Sequence, residues 1–265
     1  MAALPPEVAG SGDDRPHPEE PSWGRREPAW RLLGPVVSGA GRTLFSVRAH
    51  GLEHVPRHGP ALVIANHLGH LDPVVLVAAL HGMRGRRPRF LAREELFADP
   101  FVGWWLRRAG ALPVVRGRGP GPVIDVARRA FDAGELVVMY PEGHLARGDR
   151  LVARPGAGAI ALATGVPVVP LALWGMQPHL PGPPLRRPAA VEVGAPLDAR
   201  TLGSRDPQSV ASVVLGLIRA RLLPRARVRC GFAPDHPDAD PEGAVPITGS
   251  SWRATVEILR RWFSG

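Results

Sequence analysis

The sequence predicts a single α/β domain built on a largely parallel sheet, covered by helices on both faces and preceded by an amphipathic helical segment. Three observations predict it. Short apolar runs of strand length alternate with longer runs of helical periodicity, and Gly or Pro separates most neighbours. Strands that alternate with helices need crossover connections, which lay helices over both faces of a parallel sheet. The chain has 265 residues, 45% hydrophobic and 22% charged, which suits one domain with a sizeable core and tails.

Residues 1–22 carry five acids against Arg15 among scattered Pro and Gly, and read as a solvated, disordered tail. The start lacks the basic-then-apolar order of a secretory leader. Residues 23–50 place Trp30, Leu32, Leu33, Val36 and Val37 among Arg25, Arg26 and Arg31, an amphipathic segment that either faces a membrane or packs on the domain. The folded unit is expected over 51–225. Within it, 62–65 reads as a strand, 73–80 as a helix opened by Pro73, 88–92 as a strand, 100–109 as a helix opened by Pro100, and 112–115 as a strand. A helix over 123–133, a strand over 136–140, a helix over 155–164 and a strand over 168–173 follow. Val210, Val213, Val214, Leu217 and Ile218 recur at helical spacing and make 208–223 a closing helix. Residues 226–250, rich in Pro and Asp, read as a linker, and 251–265 as a short amphipathic helix. The window 157–176 holds 20 uncharged residues, but Gly165, Pro167 and Pro170 divide it into helix, turn and strand, so no membrane span is expected there.

Polar residues capable of chemistry crowd into one stretch, ALVIANHLGHLDP over 61–73. His67 and Asp72 are five residues apart, about 140° on a regular helix. They meet only across a turn, which Gly69 permits and Pro73 closes by opening the next helix. A carboxylate accepting the proton of one ring nitrogen makes the other nitrogen a base able to take the proton of an attacking hydroxyl. His144 and Asp149 repeat the spacing after another strand-like run, so context has to choose between the pairs. Other chemistries are excluded by composition. The chain has no lysine for a Walker loop and no GxSxG elbow, and Cys230 is its only cysteine, so no disulfide and no cysteine-based zinc site can form. His50, His54 and His58 are spaced by four, but Gly51, Pro56 and Gly59 break any helix that would align them, and no metal is expected.

Three further blocks follow in order: GALPVVR over 110–116, YPEGH over 140–144 and VPVVP over 166–170. With NHLGHLD they resemble the four blocks of the glycerolphosphate and lysophosphatidic acid acyltransferase family, over about residues 51 to 200. The resemblance implies His67 as general base with Asp72 orienting it, Arg116 on the phosphate of the acceptor, and Glu142, Gly143, Gly110 and Pro170 in substrate binding. The chain departs from the family in carrying Gly69 where Ser is common, and His144 and Leu145 where Thr-Arg is common. Arg147 and Arg150 lie close enough in sequence to supply that missing charge. The family's use of the Pro-Glu-Gly block for the acceptor ranks His67 ahead of His144 as the base.

The implied reaction moves a fatty acyl group from acyl-CoA or acyl carrier protein to the hydroxyl of a lysophospholipid, with 1-acyl-glycerol-3-phosphate as the expected acceptor and no cofactor beyond the acyl thioester. Charge suggests where it happens. All 33 basic residues are Arg, the net charge is +9, and 84–129 alone holds 11 Arg against four acids. Trp104 and Trp105 beside Arg107 and Arg108 have the composition of a helix in a lipid interface, which implies an anionic membrane partner and a peripheral, cytoplasmic location on the inner face. Two alternatives stay open: a different lyso-lipid or glycolipid acceptor, or a non-catalytic basic module on anionic membrane or nucleic acid. The acyltransferase reading calls for no nucleic acid.

Overall fold

The computed structural model of the chain describes residues 28–69, 71–115, 117, 119–143, 153–177 and 186–235. Helix α1 (Pro28–Leu44) leads into β1 (Phe45–His50), and β2 (Ala61–Ala65) precedes α2 (Asp72–Leu76), which continues through a π-helical stretch at Val77–Met83. Next come β3 (Pro88–Arg93), α3 (Pro100–Ala109), β4 (Leu112–Val114), α4 (Gly121–Asp132) and β5 (Leu136–Met139). The chain closes with α5 (Gly156–Thr164), β6 (Val168–Trp174), β7 (Arg187–Val193), α6 (Pro207–Leu217), a π-helical stretch at Ile218–Leu222, and α7 (Leu223–Arg229).

The seven strands lie in the order β1-β7-β6-β2-β5-β3-β4. All neighbours are parallel except β6 and β7, as the alternation of strands and helices predicts. Side-chain alternation divides the core into two layers. Leu62, Ile64, Val137, Val168 and Ala172 face α4, α5 and α6, whereas Val63, Ala65, Val138, Val169 and Leu171 face α2 and its π-helical continuation. Two strands were not legible. β1 alternates apolar with Ser and Arg, and β7 is rich in small residues, so neither carries the continuous apolar signal of the central strands. α7 carries the helix to Arg229, into the stretch read as linker; the N-terminal tail and the C-terminal amphipathic helix lie outside the described residues.

Local chemistry sets the helix ends. Asp99 caps α3 by accepting from the N–H groups of Phe101 at 3.0 Å and Val102 at 2.9 Å, with Pro100 in the first turn. Gly110 ends α3 at φ 70°, and the bonds from Gly110 N–H to Arg107 and from Ala111 N–H to Leu106 complete a Schellman cap.

Helix α1 packs against α2 and its π-helical continuation through a face of small residues. A Cβ on Gly34 would lie 2.6 Å from His81 Nε2, one on Gly41 would lie 3.1 Å from Ala78 Cβ, and Ser38 packs directly on Gly82. Trp30 is buried on that face, whereas Leu32 and Val36 point the other way, 75% and 64% exposed. Among the described residues no helix is long and apolar enough to cross a membrane.

Candidate active site

The polar residues of 61–73 sit where the topology makes a crevice. β2 and β5 are neighbours, but α2 leaves β2 toward one face of the sheet and α5 follows β5 on the other. Ligands of open α/β sheets bind outside the carboxyl ends of strands at such a switch point. His67 follows β2 there, and Tyr140 to Gly143 follow β5.

Asn66 holds the end of β2. It is buried, and its amide donates to Leu173 O at 3.0 Å and accepts from Leu173 N–H at 2.7 Å, extending the link to β6 by one side chain. His67 Nδ1 then lies 2.8 Å from Asp72 Oδ2, with the imidazole 20% exposed and the carboxylate fully buried. The same oxygen accepts from the N–H groups of Leu68 at 2.7 Å and Gly69 at 3.1 Å. Since a carboxylate only accepts, Nδ1 carries the proton and Nε2 is the free base. The N–H of Asp72 returns to Gly69 O at 3.1 Å, closing the turn. Three of the backbone donors in that turn, those of Leu68, Gly69 and Asp72, are therefore engaged within it.

Gly69 is dictated by close approach. A Cβ on it would overlap the Met176 carbonyl oxygen, so the segment just after β6 presses directly on the turn and leaves no room for the serine common in the family.

From the β5 side, Glu142 is buried and its Oε1 accepts the backbone N–H of His67 at 3.3 Å. Gly143 closes a turn by donating to Tyr140 O at 3.2 Å. The ring of Tyr140 stacks on the imidazole of His67 at 4.1 Å between centroids and 14° between planes. Burial, followed by the Asp72 and Glu142 carboxylates, pushes the Tyr140 hydroxyl well above its ordinary ionisation range. Arg154 returns to this turn, donating its N–H to Pro141 O at 2.8 Å and its Nε to Glu142 O at 3.3 Å.

The structure thus brings His67, Asp72, Glu142 and Gly143 together. Arg116, Arg147 and Arg150 lie outside the described residues, as do His144 and Asp149. Gly110 and Pro170, expected in substrate binding, do not join the cluster. Gly110 is the cap of α3, in a left-handed turn that favours glycine, and its carbonyl accepts from Arg89 Nη1 at 3.2 Å. Pro170 is buried within β6 opposite Ile64, at the end of the β7 ladder, where its missing N–H costs no bond. Trp104 and Trp105 meet edge to face at 5.2 Å on α3, Trp104 is 44% exposed, and Arg108 lies over its ring at 5.1 Å. Arg107 donates to Phe97 O at 3.2 Å. Sequence reasoning gave no role to Tyr140, Asn66 or Arg154; the first two lie in the YPEGH and NHLGHLD blocks, and nothing local signals Arg154. Among the described residues no group of His, Cys, Asp and Glu is placed to hold a metal ion.

The family described as Acyltransferase matches residues 46–174. The chain is 30% identical over 142 residues to a chloroplastic 1-acyl-sn-glycerol-3-phosphate acyltransferase of Arabidopsis thaliana, covering 52% of this chain and 38% of the relative. It is 34% identical over 131 residues to the lyso-ornithine lipid O-acyltransferase of Pseudomonas aeruginosa, covering 49% and 47%. The chain thus spans about two fifths to one half of the length of these curated relatives. The crystal structure of the Thermotoga maritima 1-acyl-sn-glycerophosphate acyltransferase shares the fold, with a TM-score of 0.55 and 24% identity over 74% of this chain and 84% of that one.

Proposed function

We propose that this chain, whose residues 46–174 match the acyltransferase family, transfers a fatty acyl group from an acyl thioester to the hydroxyl of a lysophospholipid. The observation that carries the reading is the 2.8 Å bond from His67 Nδ1 to a buried Asp72, at the carboxyl end of a central strand and with the imidazole still partly exposed.

In the reaction, His67 Nε2 takes the proton of the acceptor hydroxyl as its oxygen attacks the thioester carbonyl. The tetrahedral adduct collapses by expelling the thiolate, which receives that proton from the imidazolium. A new ester and a free thiol result, with no acyl-enzyme. Asp72 acts through its bond to Nδ1, which selects the basic tautomer and stabilises the imidazolium. Glu142 fixes the backbone at His67 and so sets where the ring stands. The acceptor phosphate is assigned to arginine. Arg116, with Arg147 or Arg150, supplies it by family resemblance, and Arg154 is the described guanidinium tied to the same turn.

The donor is acyl-CoA or acyl carrier protein, and the acceptor is 1-acyl-glycerol-3-phosphate. The membrane face is the α1–α3 surface, where Leu32, Val36 and Trp104 stand among Arg31, Arg42 and Arg108. A second acceptor class is favoured by two observations: Leu145 replaces the family's usual arginine, and the Pseudomonas relative is named for a lyso-ornithine lipid.

The test is a thiol-release assay with palmitoyl-CoA and lysophosphatidic acid, lyso-ornithine lipid or no acceptor, beside a binding titration with DNA. Thiol release with lysophosphatidic acid that His67→Ala abolishes, while folding is retained, is the expected outcome. Release only with the phosphate-free acceptor moves the reading to the second class. No release with either, alongside salt-sensitive binding to DNA, overturns the enzyme reading.

A further inference from the structure

The reaction above uses His67, Asp72 and Glu142 but gives no task to the side chain that covers the imidazole. Tyr140 lies one residue past β5, and its ring is nearly parallel to that of His67. On its other side Phe90 of β3 stands at 6.5 Å and 16°. Imidazole, phenol and phenyl rings therefore run in one stack across β2, β5 and β3, three consecutive strands of the sheet. The Tyr140 hydroxyl is buried and has no hydrogen-bond partner among the described residues. The part of the side chain that meets His67 is the ring.

The physical effect of that ring on His67 is directional. An aromatic face carries the negative part of the ring quadrupole, so a cation within about 6 Å of the centroid is attracted to it more strongly than a neutral group. At 4.1 Å the imidazole lies inside that range. The neutral imidazole gains packing alone, and the imidazolium gains charge attraction as well. That imidazolium exists only after the proton has left the acceptor hydroxyl, so the extra attraction falls on the transition state. The ring remains a neutral phenol, because a phenolate there would be buried beside the carboxylates of Asp72 and Glu142. The stack also constrains orientation. The bond to Asp72 fixes Nδ1, while the parallel ring stops the imidazole from tilting about that point.

We propose that Tyr140 is a positioning residue of the acyl transfer, whose ring face holds the plane of His67 and favours the imidazolium formed when the acceptor hydroxyl is deprotonated. This rests on His67 being the general base. Among the described residues, the charged and titratable groups that meet His67 are Asp72 at Nδ1 from α2, and Glu142 and Tyr140 from the segment after β5.

Two measurements on the full chain separate this proposal from the reading it rests on. The first follows kcat and KM against pH, by thiol release with palmitoyl-CoA and lysophosphatidic acid, for wild type, Tyr140→Phe, Tyr140→Leu and Tyr140→Met. Loss of the ring in Leu or Met lowers kcat by about 3- to 10-fold with KM within about twofold, and moves the acidic limb of kcat/KM to lower pH by about half a unit, while Tyr140→Phe restores the wild-type limb. Methionine nearly preserves volume, so it serves if leucine does not fold. The second titrates the His67 ring by NMR in 15N-histidine protein, with His67→Gln as the assignment control. Its midpoint falls in Leu or Met and holds in Phe. An unmoved limb and an unmoved midpoint in Leu or Met overturn the proposal, as does a Phe variant as impaired as Leu. If His67→Ala stays active, the reading of the base fails, and the NMR midpoint still decides whether the stack favours the imidazolium.

Discussion

At the scale of single residues, the site is a set of close tolerances around one carboxylate. Asp72 Oδ2 accepts three hydrogen bonds, from His67 Nδ1 and the N–H groups of Leu68 and Gly69. Asp72→Asn, with its amide oxygen in the place of Oδ2, can still accept all three bonds, but it brings no negative charge to stabilise the imidazolium. We expect kcat to fall by about 10²- to 10⁴-fold, the range for lost acid–base catalysis, with KM little changed in steady-state kinetics. Gly69→Ser, which restores the residue common in the family, should not improve the enzyme. Its Cβ meets the Met176 carbonyl, and a shift of the segment after β6 against the turn should cost about 1–3 kcal/mol in urea unfolding. The pairing of His67 with Asp72 was legible because the two residues are five apart and the turn residue between them is visible. Tyr140 against His67 was not, because 73 residues separate them and only the placement of β5 beside β2 joins them.

At the scale of elements, side chains at the edges of strands do what backbone cannot. Asn66 alone carries the link from the end of β2 to Leu173, and Asn66→Ala leaves a buried N–H and C=O without their partner. A loss of about 2–4 kcal/mol in chemical denaturation is expected, together with lower activity through displacement of His67. Helix α1 is tied to the π-helical stretch by Trp30, which meets His81 edge to face at 5.3 Å and lies under Arg87 at 4.6 Å. Burial, and then the Arg87 charge, hold His81 below its ordinary ionisation range. The unfolded chain therefore takes up the proton first as pH falls past the ordinary histidine range, and stability declines with it. The midpoint of urea unfolding should drop between pH 7.5 and pH 5, and His81→Gln should flatten part of that drop. The central strands and the helices between them were readable because each buries a continuous or periodic apolar run. β1 and β7 escaped because a mixed, partly polar strand is made a strand only by its neighbour.

At the scale of the whole molecule, the sequence foresaw an amphipathic first helix without saying which way it would face. The structure places Leu32 and Val36 on the outside with Trp104 and Arg108 on neighbouring α3. If this surface rests on lipid, the chain should float with vesicles containing phosphatidylglycerol and much less with pure phosphatidylcholine, and Trp104→Ala with Leu32→Ser should weaken flotation by about tenfold while leaving the fold intact. The inner stripe of α1 has a consequence of its own. Because Gly34, Ser38 and Gly41 leave no space for anything wider against His81, Gly82 and Ala78, the helix cannot roll over to conceal its oily side. Purified in plain buffer, the protein would stick to itself or to the vessel wall, and a mild detergent should be what turns a smear into a single sharp species on a sizing column.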